Sequence, residues 1–271
     1  MTQRFPSFRQ RRAAVSSRSL RAGGVLAIAL LAFVAPGCRG GVKEDPILQM
    51  AAAESLAEGK RLLEAGKHAN ARKYLAHAFE IEPNSVSGRE ALLLVADSLY
   101  LQGGRDNLVQ AEAKYRDFLN RFPTSERAPY VQLQIGNALA GRVERPDRDQ
   151  SVTLQAVTAF EELMRLYPTS EEAQTAQAKI AELRERLAEH EFLVAFFYYR
   201  YGLPNATANR LQTLLAAYPE YTHKDKVYYY LGLATGRMGQ QEEATKWFDK
   251  LRQEFPSSEY VGEIGSAEAS G

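Results

Sequence analysis

Residues 171–200 read EEAQTAQAKIAELRERLAEHEFLVAFFYYR, thirty residues without a glycine or a proline. Ala, Glu, Leu, Gln and Arg dominate the stretch, and these side chains lose least on entering a helix. The composition predicts a continuous rod of about 45 Å at the helical rise of 1.5 Å per residue. Apolar residues fall on two rows of heptad spacing: Ala173, Ile180, Leu187, Val194 and Ala176, Leu183, Phe197, with His190 interrupting the second. The first half is therefore expected to bury one face. From Phe192 onward FLVAFFYY is apolar nearly all round, which predicts an end buried among other helices. Three copies of a repeat precede the rod and its last turns open a fourth, so it reads as a strut joining two halves of a helical array.

The repeat is marked by a proline preceded at offsets of 12, 8 and 5 by three packing residues. The five copies are Ala71, Leu75, Ala78, Pro83; Ala111, Tyr115, Phe118, Pro123; Ala156, Phe160, Leu163, Pro168; Thr207, Leu211, Leu214, Pro219; and Ala244, Phe248, Leu251, Pro256. Spacings of four and three place the packing residues on one helix face, and the proline stops the helix. A partner helix precedes each, marked by a small residue, a larger one three later and a glycine at the turn. Examples are Gly59, Leu62, Gly66 and Gly232, Thr235, Gly239; Ala195, Tyr198, Gly202 mark the fourth. From the small residue to the second helix is 12 residues in repeats one, four and five, 15 in repeat two and 20 in repeat three, where GRVERPDRDQS (141–151) lengthens the loop.

Helix starts are expected near Ile47, after Asp45-Pro46, and at capping boxes Ser87/Glu90, Thr169/Glu172 and Thr222/Asp225. After Glu259 the tail VGEIGSAEASG loses its periodicity and is expected to fray, leaving 263–271 disordered. This spacing resembles the tetratricopeptide repeat. The fold class expected is all-α: a tetratricopeptide-repeat solenoid of about five helix pairs with a long central helix.

The N-terminus carries six arginines and no acid before Gly24–Ala35 (GVLAIALLAFVA), then Pro36-Gly37-Cys38. A basic lead, a short apolar core and small residues read as an export signal, too short for a bilayer span. Cys38, the one cysteine in the chain, follows the expected cleavage point. The segment resembles a bacterial lipobox, although Ala35 stands where Leu is usual, and that implies lipidation of Cys38. In enterobacterial lipoproteins an Asp after the cysteine marks inner-membrane retention; Arg39 in its place favours the outer membrane. Cleavage there removes six of the 34 basic residues and none of the 33 acids, leaving a net charge of −5. That balance argues against nucleic acid as a partner, and with Cys38 acylated no disulfide is available.

No catalytic constellation emerges, and neither a metal site nor a cofactor is expected. His68, His77, His190 and His223 lack metal-ligand spacing. His190-Glu191 reads as a helix histidine in the second heptad row rather than an acid–base pair, and Glu182 with Arg186 as a solvated i, i+4 ion pair. The binding signal lies on the first helices. One register carried through them selects Leu56, Lys60, Leu63; Leu93, Asp97, Tyr100; Tyr130, Leu133, Asn137; Phe192, Phe196, Tyr199; and Lys226, Tyr229, Leu233. Phe192 and Phe196 read equally well as inter-repeat packing. The phenols of Tyr100, Tyr130, Tyr199 and Tyr229 suit peptide contact at a groove.

Beyond the generic repeat, the chain resembles the BamD family of β-barrel assembly lipoproteins. The likeness rests on the lipobox before five repeats, ProAspArgAspGlnSer (146–151), LeuArgGluArgLeuAlaGluHisGluPheLeuValAla (183–195) and AlaAsnArgLeu (208–211), and covers about residues 47–260. It implies a non-enzymatic scaffold, lipid-anchored on the periplasmic face of the outer membrane. Implied partners are BamA-like POTRA domains, other assembly-machinery subunits and unfolded outer-membrane proteins. Lys60, Leu93, Asp97, Tyr100, Tyr130 and Asn137 would then form a peptide groove for substrate, and Tyr199, Arg210 and Tyr229 would be partner contacts. The expected segments are a signal peptide (1–37), a tether after lipidated Cys38 (38–46), N-terminal repeats (47–170), the long helix with C-terminal repeats (171–262) and the tail. The alternative is another tetratricopeptide envelope lipoprotein, serving pilus assembly or cell-wall coordination.

Overall fold

The computed structural model describes residues 45–268; the expected signal segment, Cys38 and the tether through residue 44 lie outside them. No strand occurs among the described residues. The described residues form eleven α-helices, in order: α1 Ala52–Glu64, α2 His68–Ile81, α3 Val86–Gln102, α4 Arg105–Arg121, α5 Ala128–Ala140, α6 Ser151–Leu166, α7 Glu171–Arg200, α8 Pro204–Ala217, α9 Lys224–Arg237, α10 Gln241–Glu254 and α11 Glu259–Glu268. They pair as α1/α2, α3/α4, α5/α6, the second half of α7 with α8, and α9/α10.

Every second helix ends in the same way. Glu82, Phe122, Tyr167, Tyr218 and Phe255 each precede the marker proline, with φ between −133° and −130° and ψ between 57° and 67°. A residue before proline is pushed out of the helical region. Its N–H still donates to the carbonyl of Ala78, Phe118, Leu163, Leu214 or Leu251, the third packing residue of each repeat. At the opposite end of the pairs Gly66, Gly202 and Gly239 turn the chain at φ of 70°, 69° and 76°, a region open to glycine at little cost.

The strut has the bounds read from sequence, and its two ends serve different cores. Ala176, Leu183 and Leu187 pack with α3–α6, while Ala188, Phe192 and Ala195 pack with α8 and α9. The expectation that its end is buried all round is corrected: Phe197 is 53% exposed and Tyr201, just beyond, 70%. Phe197, assigned above to a packing row, rotates away from α8 and α9, and its ring meets Tyr201 at 4.4 Å instead.

Other starts and ends also differ. Asp45 does cap Ile47 N–H at 3.1 Å, but the turn it opens is a 3-10 helix, Pro46–Gln49, and α1 begins only at Ala52. The caps of α3 and α7 are Ser85 and Ser170, whose hydroxyls accept from Gly88 and Ala173 N–H; Ser87 lies inside α3 and Thr169 before the cap. Thr222 caps nothing, because its N–H and hydroxyl both donate to Glu185 on α7. The expected disordered tail is α11, in which Ile264 is fully buried. Tyr260, Val261 and Ile264 close the core of α9 and α10, which outweighs the glycines at 262 and 265. Residues 269–271 lie outside the described residues.

The small residue of each first helix meets the large residue of the second. A Cβ at Gly136 would lie 2.3 Å from Phe160 Cε1, one at Gly232 2.3 Å from Phe248 Cε1, and one at Gly59 2.6 Å from Leu75 Cδ2. Gly136→Ala is therefore expected to destabilise by about 1–3 kcal/mol through overpacking, although helix propensity alone would favour Ala by about 1 kcal/mol. Thermal melting followed by circular dichroism checks it: the midpoint should fall by several degrees, whereas a rise would show that Phe160 moves aside freely.

Candidate functional site

The first helices α3 and α5 carry most of the expected groove, and one carboxylate organises them. Tyr115 on α4 donates its hydroxyl to Asp97 Oδ1 at 2.7 Å, and Tyr130 on α5 donates to the same oxygen at 3.0 Å. The Arg127 guanidinium lies 4.6 Å from the Tyr130 ring centre. Burial pushes the Asp97 carboxyl up, opposed by the two phenol hydrogen bonds and by Arg127. Asp97 and Tyr130 are thus joined to each other, and the carboxylate expected to face a ligand ties three helices together.

Tyr100 and Asn137 come together at a cavity of about 260 Å³ between α3, α5 and α7. Lys179, Glu182 and Arg186 of the strut supply its charged wall. The register along first helices missed them, since a run such as ELRER reads as a solvated face. The expected Glu182–Arg186 pair is corrected: Glu182 meets Lys179 at 3.5 Å, and Arg186 donates to the Glu144 carbonyl at 3.0 Å. His190 joins it on the long loop, with Nδ1 2.6 Å from the Pro146 carbonyl. Lys60 stands apart, paired with Glu90 at 2.7 Å. Leu93 is 4% exposed inside the core of repeats two and three, so it does not line an open groove.

In the C-terminal half, Tyr199 accepts a hydrogen bond from Arg237 at 2.9 Å, and the guanidinium sits 4.2 Å from its ring centre. Tyr229 is corrected as a surface contact. It is 8% exposed, stacked on Tyr260 of α11 at 5.0 Å, and its phenol faces Glu263. The sequence register treated α11 as absent, and α11 is what covers it. Arg210 is exposed, pairs with Glu191 at 3.2 Å and lines a shallow pocket with Tyr198, Asn209 and Thr213. The Tyr198 ring lies 5.8 Å from Phe197, which leads on to Tyr201. Arg210 therefore borders an exposed aromatic cap at the end of α7, completed by Leu203 at 49% exposure.

A family model described as YfiO, outer membrane lipoprotein, matches residues 48–247. The chain belongs to this family, that of BamD. A relative from Pasteurella multocida, named outer membrane protein assembly factor BamD, is 30% identical over 204 residues, covering 71% of this chain and 76% of the relative. The protein of the same name from Haemophilus influenzae is 29% identical over 213 residues, covering 75% and 78%. Among solved structures the TPR2AB domain of yeast Sti1 in its pHSP90 complex aligns with a TM-score of 0.43 at 14% identity, covering 81% of this chain and 85% of that one. The BamD family match spans the strut, the long loop of the third repeat and Arg210.

A carboxyl whose folded pKa is raised takes up its proton more readily in the folded state. Its charge therefore burdens the fold at neutral pH, and the burden lifts as pH falls through the folded pKa toward the unfolded value. Asp97→Asn keeps an oxygen that can accept from both phenols and should flatten this part of the pH–stability curve. Asp97→Ala orphans the hydroxyl of Tyr115, which is fully buried, at a cost of about 1–3 kcal/mol. Urea melts of the three proteins between pH 4 and 7 check both. Parallel curves for Asn and wild type would show that Asp97 keeps its ordinary pKa.

Proposed function

We propose that this chain is a lipid-anchored scaffold on the periplasmic face of the outer membrane, working in the assembly of outer-membrane proteins. The relatives are named assembly factors and the family outer membrane lipoproteins, which supports the role and the location. Two separate faces do the binding. The early repeats receive an extended segment of unfolded outer-membrane protein at the Tyr100–Asn137 cavity, where Lys179 and Arg186 favour a carboxylate-bearing end. The later repeats hold a BamA-like POTRA domain or another machinery subunit through Arg210 and the aromatic cap beside it.

The observation that carries the second face is the cap itself. Phe197, Tyr201 and Leu203 are about half exposed or more and contiguous through Tyr198 with a charged arginine. Clustered exposed apolar side chains beside an arginine are the composition of an interface centre. Glu191 holds Arg210 only at a partly exposed pair, worth little by itself, so a partner carboxylate can replace it.

Affinity capture with the full chain from detergent-solubilised outer membranes tests the reading. Arg210→Glu combined with Tyr201→Ser should reduce recovery of the barrel-forming partner at least tenfold without changing the melting temperature. Recovery equal to wild type would remove this face from partner binding. The anchor has its own test. Cys38→Ser should leave the protein unprocessed or soluble, and partner-independent fractionation with the outer membrane would overturn the lipidation reading.

A further inference from the structure

The strut is 30 residues long and its partner α8 is 14, so α7 outruns α8 by 16 residues, about 24 Å at 1.5 Å per residue. Arg184 marks the level at which α8 stops. Its guanidinium donates to the carbonyl of Ala217, the last residue of α8, at 3.3 Å. From that level toward its N-terminus the strut has α6 as a neighbour. Where α8 would have continued there is instead a cavity of about 450 Å³, a size that holds a ligand group.

The walls of the cavity are apolar. Ile180 and Ala181 come from the strut, and Tyr218, Pro219 and Tyr221 from the turn between α8 and α9. Ala181 and Pro219 are exposed and Ile180 and Tyr218 partly so, which leaves the apolar walls open to solvent. Tyr221 spends its hydroxyl on Glu189, so its ring is what it contributes here. Three charged side chains complete the lining, and they are not equivalent. Glu185 accepts from the N–H of Thr222 at 3.2 Å and from its hydroxyl, and is thereby satisfied. Glu220 is exposed on the turn. Arg184 forms no ion pair with any described residue and spends one of a guanidinium's five N–H donors, on Ala217. The Tyr218 phenol is pushed up by burial and by Glu191 and drawn down by Arg184, which sets the unpaired positive charge beside the aromatic wall.

We propose that this cavity is a docking pocket for a protein partner, taking one large apolar side chain whose neighbour in sequence brings a carboxylate to Arg184. The walls select the side chain: a polar one would be left without partners, since Glu185 and Tyr221 are already engaged. The guanidinium selects the acid, which gains a charge-assisted hydrogen bond there. Glu220, on the wall facing the strut, disfavours a second acid, so the element recognised is an apolar–acid pair and not an acidic run. The pocket contains neither Arg210 nor any residue of the early-repeat cavity, and stands or falls without them.

Isoleucine methyl NMR of the full chain in detergent tests it, because Ile180 reports from the wall while Ile135 and Ile264 are fully buried elsewhere. The probe is acetyl-Phe-Asp-amide, the pair in its smallest form. It should shift the Ile180 signal saturably and leave those of Ile135 and Ile264 in place. Acetyl-Phe-Asn-amide should bind about fivefold more weakly, and Arg184→Gln should erase that difference. Ala181→Trp, at an exposed position, should fill the cavity and abolish binding with the melting temperature unchanged. Tyr100→Ala and Arg210→Glu should change nothing. The proposal is overturned if Ile180 does not respond, if the Asp and Asn probes bind alike, or if Ala181→Trp binds as wild type does. Binding of acetyl-phenylalanine through its free carboxylate, without binding of the amidated pair, would assign the cavity to a chain end and overturn it equally.

Discussion

The array depends on one steric pairing repeated along the chain. In the odd repeats a glycine of the first helix faces Leu75, Phe160 or Phe248 on the second, with no room for a methyl group. In the even repeats alanines hold the same register, Ala96 and Ala195, both fully buried with Tyr115 and Leu211 in their cores. Helices brought this close bury the faces that each leaves apolar, and the neighbouring pair covers what remains. The closing proline fixes where the second helix ends and so which residue reaches the small one. The geometry of the first helices, and of any surface they share, follows from that contact.

The strut makes two such arrays into one. Leu187 belongs to the core of the early repeats and Ala188, its neighbour in sequence, to that of the later ones. The join therefore passes through a single helical turn, without a loop to act as a hinge. Tyr221 and Lys226 hold Glu189, and Thr222 holds Glu185, at that turn. Arg186 and His190, each one residue further on, hold the long loop of the third repeat. The extra residues of that loop thus brace the strut at its junction.

Much of this was legible because it is local. The bounds 171–200 follow from breakers on either side, Pro168 and Gly202, and five prolines at constant offsets leave one register for the second helices. What was illegible depends on residues far apart. The tie of Asp97 to Tyr115 and Tyr130 spans 18 and 33 residues, so spacing alone offered Asp97 as a free ligand. Tyr229 is hidden by α11, whose glycines argue against a helix; only the apolar spacing of Tyr260, Val261 and Ile264 hinted at it. The caps at Ser85 and Ser170 each sit within two residues of another hydroxyl, and choosing between them requires the backbone turn that the preceding proline sets.

The same distinction explains why the two faces of α7 diverge toward its end. A run apolar all round is buried only if neighbours exist on every side, and a solenoid supplies neighbours along its axis alone. Phe192 and Ala195 face the next repeat and disappear into it, whereas Phe197 points where no repeat follows. Aromatic side chains left there are not required by packing, and polar residues would serve the fold as well. Where the packing rules of the array do not call for a residue, its presence is evidence for something the array binds.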